Sequence, residues 1–188
     1  MAKNGFSDIK NMLRRNKTAA LASGLIVVLA IVFLIFWGLS SSSKTNTIAQ
    51  EALEINQSVR KAFGARADYR GLDSLNAIKQ GIISPALIRG DKIYSRLQSE
   101  IFIGRDEDGA ILRPGDYYFK VTYKTLDRRK CLALLEGDFG IDSGLTSVEV
   151  KNDAYIAFTY GGENTLPINT EAASKACKTK NMIILTFE

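Results

Sequence analysis

Histidine is absent from all 188 residues, and the chain holds two cysteines, three prolines and one tryptophan. Without histidine the usual general base is missing, which excludes Ser-His-Asp and Cys-His arrangements and most transition-metal sites. Two cysteines also fall short of the four ligands that a structural zinc site needs. Ser41-Ser42-Ser43-Lys44 spells Ser-x-x-Lys, but the Ser-Asp-Asn and Lys-Thr-Gly partners of that motif do not occur. Asp106-Glu107-Asp108-Gly109 lacks the remaining ligands of a calcium loop, and Gly161-Gly162 reads as a turn with no phosphate-binding surroundings. The expectation is a protein that is no enzyme and carries neither metal nor cofactor.

Charge is missing from one long stretch. Thr18 to Leu39 gives 22 residues without a charged side chain, and Leu25–Trp37 is apolar on every helical face. About 20 such residues cross a hydrocarbon core of roughly 30 Å, whereas a helix buried in a soluble core normally carries a stripe. The segment 18–39 is therefore expected to be a transmembrane helix in contact with lipid, with Trp37 as an interfacial anchor. Residues 1–17 carry Lys3, Lys10, Arg14, Arg15 and Lys17 against Asp8, a local charge of +4. The positive-inside rule then holds 1–17 in the cytoplasm and exports the rest. Cleavage as a secretory signal is the competing reading, but Ser40-Ser41-Ser42-Ser43 follows the apolar run where an Ala-x-Ala-like site would be needed. Subtracting the tail's +4 from the overall +5 leaves residues 18–188 at +1, so the basic pI is no sign of nucleic-acid binding.

Both cysteines, Cys131 and Cys177, fall in the exported part. In an oxidising space pairing is their default, with two buried thiols as the alternative. After the serines, Ile48, Ala52, Ile55, Val59 and Phe63 recur at helical spacing from about Thr45 to Phe63, and Gly64 stops the run. Glu51, Glu54, Arg60 and Lys61 are placed off that stripe. Beyond it the patterns predict a short helix around Leu75–Ile78 and strands near 92–95, 100–104, 117–124, 146–150, 155–160 and 182–187. Tyr117, Phe119, Val121 and Tyr123 are expected on one strand face. Helices are expected from Leu126 through Leu135 and near 169–177, with Asn169 or Thr170 as cap. The domain plan is a basic segment 1–17, a span 18–39, a juxtamembrane helix 40–64 and an α+β domain 65–188, with the helix laid across a mostly antiparallel sheet.

Several of these pieces, in this order, resemble the type IVb pilins, the group that includes the toxin-coregulated pilin. The matching pieces are the apolar helix feeding the Ile48–Phe63 stripe, Tyr69-Arg70-Gly71-Leu72, Gly81-Ile82-Ile83-Ser84 and the strand Phe119–Tyr123. Cys131 opening a helix and Ala172–Cys177 ahead of Ile183–Phe187 complete the set. The resemblance implies a pilin-like fold: a membrane helix continuing into an amphipathic half packed on an antiparallel sheet, with the C-terminal region closed by one disulfide between Cys131 and Cys177. It implies a structural role beside other subunits of a pilus, secretion or conjugation machine, itself among them. Gly5-Phe6 offers a candidate leader-peptidase junction, but Lys10 stands where that family has a glutamate, and Arg14, Arg15 and Lys17 precede the apolar run. Three readings follow: an uncleaved anchored subunit in the inner membrane with a periplasmic domain; a pilin cut after Gly5 and polymerised outside; and a tethered binding module using its aromatic sheet face or the 138–145 loop.

Overall fold

Residues 46–63 contain neither proline nor glycine, and their apolar side chains return every three or four positions. They form helix α1, Asn46–Phe63, with Arg60 and Lys61 in the last turn, where they complement the helix dipole. Ile48, Ala52, Ile55, Val59 and Phe63 are all buried. Removing such side chains from water stabilises by about 1.5–3 kcal/mol each for the larger ones. This computed structural model describes residues 46–188, within a compact unit Thr45–Glu188 that takes in both α1 and the sheet. The span 18–39, the serines 40–43, the junction Gly5-Phe6 and the cations Arg14, Arg15 and Lys17 lie outside the described residues. Among the described residues no helix is long and apolar enough to cross a membrane.

After α1 come helix α2 (Ser74–Lys79), capped by Asp73, and the short strands β1 (Ile88–Arg89) and β2 (Lys92–Tyr94). Strands β3 (Glu100–Gly104) and β4 (Phe119–Leu126) follow, and then helix α3 (Arg128–Leu135). Strands β5 (Leu145–Lys151) and β6 (Tyr155–Thr159), helix α4 (Thr170–Ala176) and strand β7 (Asn181–Phe187) complete the chain. The seven strands make one sheet in the order β1-β2-β3-β4-β7-β5-β6, with every neighbouring pair antiparallel. Its last strand, β7, thus lies between β4 and β5.

Register explains the core. Ile103, Val121, Leu185, Val148 and Phe158 align as one row across five strands, and all are buried. A second row runs Ile101, Tyr123, Ile183, Val150. These rows share the core with α1, because alternate residues of each strand point to the same side. Three rings extend it: Tyr69 lies 4.9 Å from Phe119, centroid to centroid, and Phe119 lies 5.7 Å from Phe187. The fold is α+β with a helix on an antiparallel sheet.

Four expectations are corrected. Tyr117 leaves the face of Phe119, Val121 and Tyr123 and is 61 % exposed, because the Pro114-Gly115 turn continues through Asp116, whose N–H reaches Arg113 O. Leu126 ends β4 rather than opening α3. A bulge with Thr125 at φ 59° turns it inward, and Asp127 caps the helix from Lys130 N–H at 2.9 Å. The sheet has seven strands where six were expected; the two-residue β1 is too short to give a pattern. Glu51, placed off the stripe, is fully buried. Asn169 does cap α4, accepting from Ala172 N–H at 2.8 Å.

Cys131 on α3 and Cys177 at the end of α4 are disulfide-bonded, with Cα atoms 5.8 Å apart and a sequence separation of 46. Beneath the bridge Asn181 donates to Leu126 O and Lys178 O and accepts from Lys178 N–H, so a buried amide fixes the same junction. In the chain-entropy model a loop of this length stabilises by roughly 4 kcal/mol. Cys131→Ser is expected to leave the chain's partitioning unchanged but to make residues 128–180 protease-sensitive; wild-type resistance would remove the bridge from the stability of the domain. Val59→Asp puts a carboxylate into the helix–sheet core and should cost more than about 4 kcal/mol. A wild-type urea midpoint would show that α1 is not held by that core.

Candidate functional site

Glu51 stands three residues after Ile48 and four before Ile55, so it lies on the edge of the apolar stripe and turns into the domain. Its carboxylate accepts the Arg96 backbone N–H at 2.7 Å, and the Tyr123 hydroxyl donates to it from 3.5 Å. One helical turn on, Glu54 takes the Arg96 guanidinium at 2.8 Å. The turn between β2 and β3 is itself rigid: Ser95 Oγ accepts from Leu97 and Ser99 N–H groups, and Ser99 Oγ donates to Lys124 O. A single carboxylate thereby joins α1, that turn and β4. Burial pushes the Glu51 pKa up to about 6, against the lowering effect of the Arg96 N–H and guanidinium and the Tyr123 hydroxyl. Burial, followed by the Glu51 charge, drives the Tyr123 phenol well above its ordinary value.

A second feature forms at the C-terminal end of α3. Gly137 follows that helix, and a Cβ there would fall 2.2 Å from Ala49 Cβ, so only glycine lets this stretch close on α1. The loop then runs to Gly144, whose φ of 71° favours glycine. Asn56 Nδ2 donates to Ser143 O at 2.6 Å, Arg60 Nη1 to Asp142 O at 3.4 Å, and Glu188 N–H to Gly144 O at 2.8 Å. The polar residues of α1 hold this loop in place. Between it and the chain around Leu166 lies a groove of about 500 Å³. Leu135, Phe139, Leu145, Val148, Leu166 and Ile168 form its apolar floor. Asp138 and Asp142 edge it, and Ile141 projects beside it at 95 % exposure.

Of the residues singled out in the sequence, Cys131 and Cys177 meet in the bridge, and Ile48, Ile55, Val59 and Phe63 meet in the core. The aromatic strand face is no contact surface, since Phe119 and Tyr123 point inward. The 138–145 loop does present a surface. Asp106-Glu107-Asp108-Gly109 is occupied locally: Asp106 accepts from its own loop, Glu107 pairs with Lys151 and Asp108 with Lys124. Among the described residues no group of three or more His, Cys, Asp or Glu side chains is placed to hold a metal. Sequence reasoning missed the burial of Glu51 and, of the groove, reached only the 138–145 loop. The spacing of Glu51 from Ile48 and Ile55 was a signal for the first; for the second, the acids at 136, 138 and 142 amid Leu135, Phe139 and Ile141 were a weaker one. The groove offers apolar area rimmed by negative charge, which suits the docking of a cationic, partly apolar group.

No protein-family model matches the chain. No curated protein matches it either. Among solved structures, the crystal structure of type IV b pilin from Salmonella typhi is similar at 13% identity and a TM-score of 0.48, over 73% of this chain and 95% of that one.

The Glu51 pKa carries a definite sign. Raised in the folded state from 4.5 to about 6, it makes the protonated form favour folding. The stability it gives is complete below about pH 4.5 and is lost as pH rises through 6, leaving a cost of about 2 kcal/mol at pH 7.5. Carboxylates with depressed pKa, such as the half-buried Asp106 and the exposed Asp127 held by backbone N–H groups, act in the opposite sense. The Glu51→Gln difference from wild type isolates the one residue. In urea titrations of the full chain in micelles, the variant should gain up to about 2 kcal/mol at pH 7.5 and little at pH 4.5. An equal difference at both pH values would refute the assignment.

Proposed function

We propose that this chain is a membrane-anchored, pilin-like structural subunit of a bacterial envelope machine, such as a pilus, secretion or conjugation apparatus. It is held in the inner membrane by residues 18–39, with its C-terminal domain in the periplasm. The observation that carries the reading is the helix α1. It begins at Asn46, shortly after an apolar run that ends at Leu39, and its apolar stripe is buried in the core it shares with the sheet. A domain built around the helix that follows a membrane segment is suited to transmit position and force rather than to turn over a substrate. The disulfide between α3 and α4 supports the same reading, because a bridge across residues 131–177 suits an oxidising compartment.

Gly5-Phe6 favours a second reading, in which the chain is cut there and polymerised. Against it stand Lys10, Arg14, Arg15 and Lys17, which a packed bundle of apolar helices would bury at several kcal/mol each unless paired. The first reading is therefore preferred.

Intact mass of the protein purified from membranes tests both readings. A chain beginning at Met1 or Ala2, retained in the pellet after carbonate washing, is the expected result. A chain beginning at Phe6 and recovered in sheared surface filaments would establish the second reading. Recovery of the intact protein in the soluble fraction would defeat both.

A further inference from the structure

The charges on α3 stand at the wrong ends for the helix itself. Arg128, Arg129 and Lys130 occupy its first turn, and Glu136 follows its last residue. A helix dipole favours the reverse arrangement, typically by 0.3–1 kcal/mol for each charge. Asp127 at the cap pairs with Lys130, but Arg128 and Arg129 make no ion pair among the described residues. The chain around the disulfide adds Lys178 and Lys180, both exposed, and with Arg128 they line an open depression of about 660 Å³ whose one acid is Asp153. At the opposite end Glu136, Asp138 and Asp142 are exposed, and none is in an ion pair among the described residues. No lysine or arginine occurs in 131–150 or 152–174. Arg60, on α1, approaches this loop, and its Nη1 donates to Asp142 O. Eight residues of helix, about 12 Å, separate a basic end from an acidic one.

We propose that the groove at the C-terminal end of α3 receives the basic end of α3 and the 178–180 turn from a second copy of this chain. The inference rests on reading the chain as an assembly subunit and names the partner of that surface. Lysine and arginine bring long methylene stems with a charge at the tip, and the groove offers an apolar floor with carboxylates at the rim. Stems lie on Leu145, Val148 and Ile168 while tips meet Asp138 and Asp142. Because the two surfaces differ, the contact is head-to-tail and repeats from copy to copy, without a two-fold axis. Charges that are unfavourable to the isolated helix become favourable across the contact.

The test uses the full chain in its native membrane. A photo-crosslinking p-benzoylphenylalanine replaces Ile141, which touches the groove and is almost wholly exposed. The expected product is a dimer of this chain, joined at residues 128–130 or 178–180 by mass spectrometry. Asp142→Arg and Lys178→Glu change side chains that make no hydrogen bond among the described residues. Each should lower the crosslink yield at least fivefold, and the two together should restore at least half of it. Crosslinks to another protein, to lipid or to other parts of this chain would overturn the proposal, as would failure of the double variant to recover. A high-mass complex on native gels that survives all three variants without a dimer crosslinked at 141 would defeat this contact and leave the subunit reading standing. A monomer on native gels throughout would defeat both.

Discussion

Burial of one face of α1 against the sheet is the interaction on which the other parts of this domain depend. Ile48, Ala52, Ile55, Val59 and Phe63 supply the helical side of the core, and the rows through Val121, Leu185 and Val148 supply the sheet side. Everything with a role of its own is hung from that contact. Asn56 and Arg60, one turn to the side of the stripe, hold the loop that forms the groove. Glu51 holds the turn between β2 and β3. The polar residues of α1 thus set two loops, while its apolar residues set the sheet.

The strand order adds a constraint on how that core is made. Because β7 pairs with β4 on one side and β5 on the other, the central rows cannot be completed until residues 181–187 are in place. The core that α1 and β7 share joins residues more than a hundred positions apart, so chain-entropy loss precedes most of the gain from burial. The disulfide and the Asn181 amide lie where this long excursion returns to the sheet, which is where shortening the open loop has most effect.

Periodicity made much of this legible from the residues alone. The α1 stripe, the β3 and β7 segments and the cap at Asn169 are strong local signals, because each follows from spacing or from one side chain acting on its own neighbours. Tyr117 failed that test: alternation continued through it, yet a turn hydrogen bond at Asp116 delayed entry to the sheet. Glu51 failed for another reason. A charged residue at a stripe-edge position reads as solvent-facing unless its partners are known, and Arg96 and Tyr123 come from 45 and 72 residues away. The groove could be read only in part: its 138–145 loop was legible as a candidate surface, but the floor of Leu135, Val148 and Ile168 comes together only in three dimensions. The fold class was carried by local pattern, whereas the candidate surface belongs to tertiary structure.

The two borders of the sheet close off a different route to association. On one side β1 spans only Ile88–Arg89, and on the other β6 is partly shielded by the returning chain, where Thr159 bridges Thr165. Neither border offers a long open ladder of amides and carbonyls that a stray strand could extend. Crowded copies of such a domain are steered away from templated, amyloid-like growth, and what recognition they achieve must be written in side chains, where a single charge can revise it.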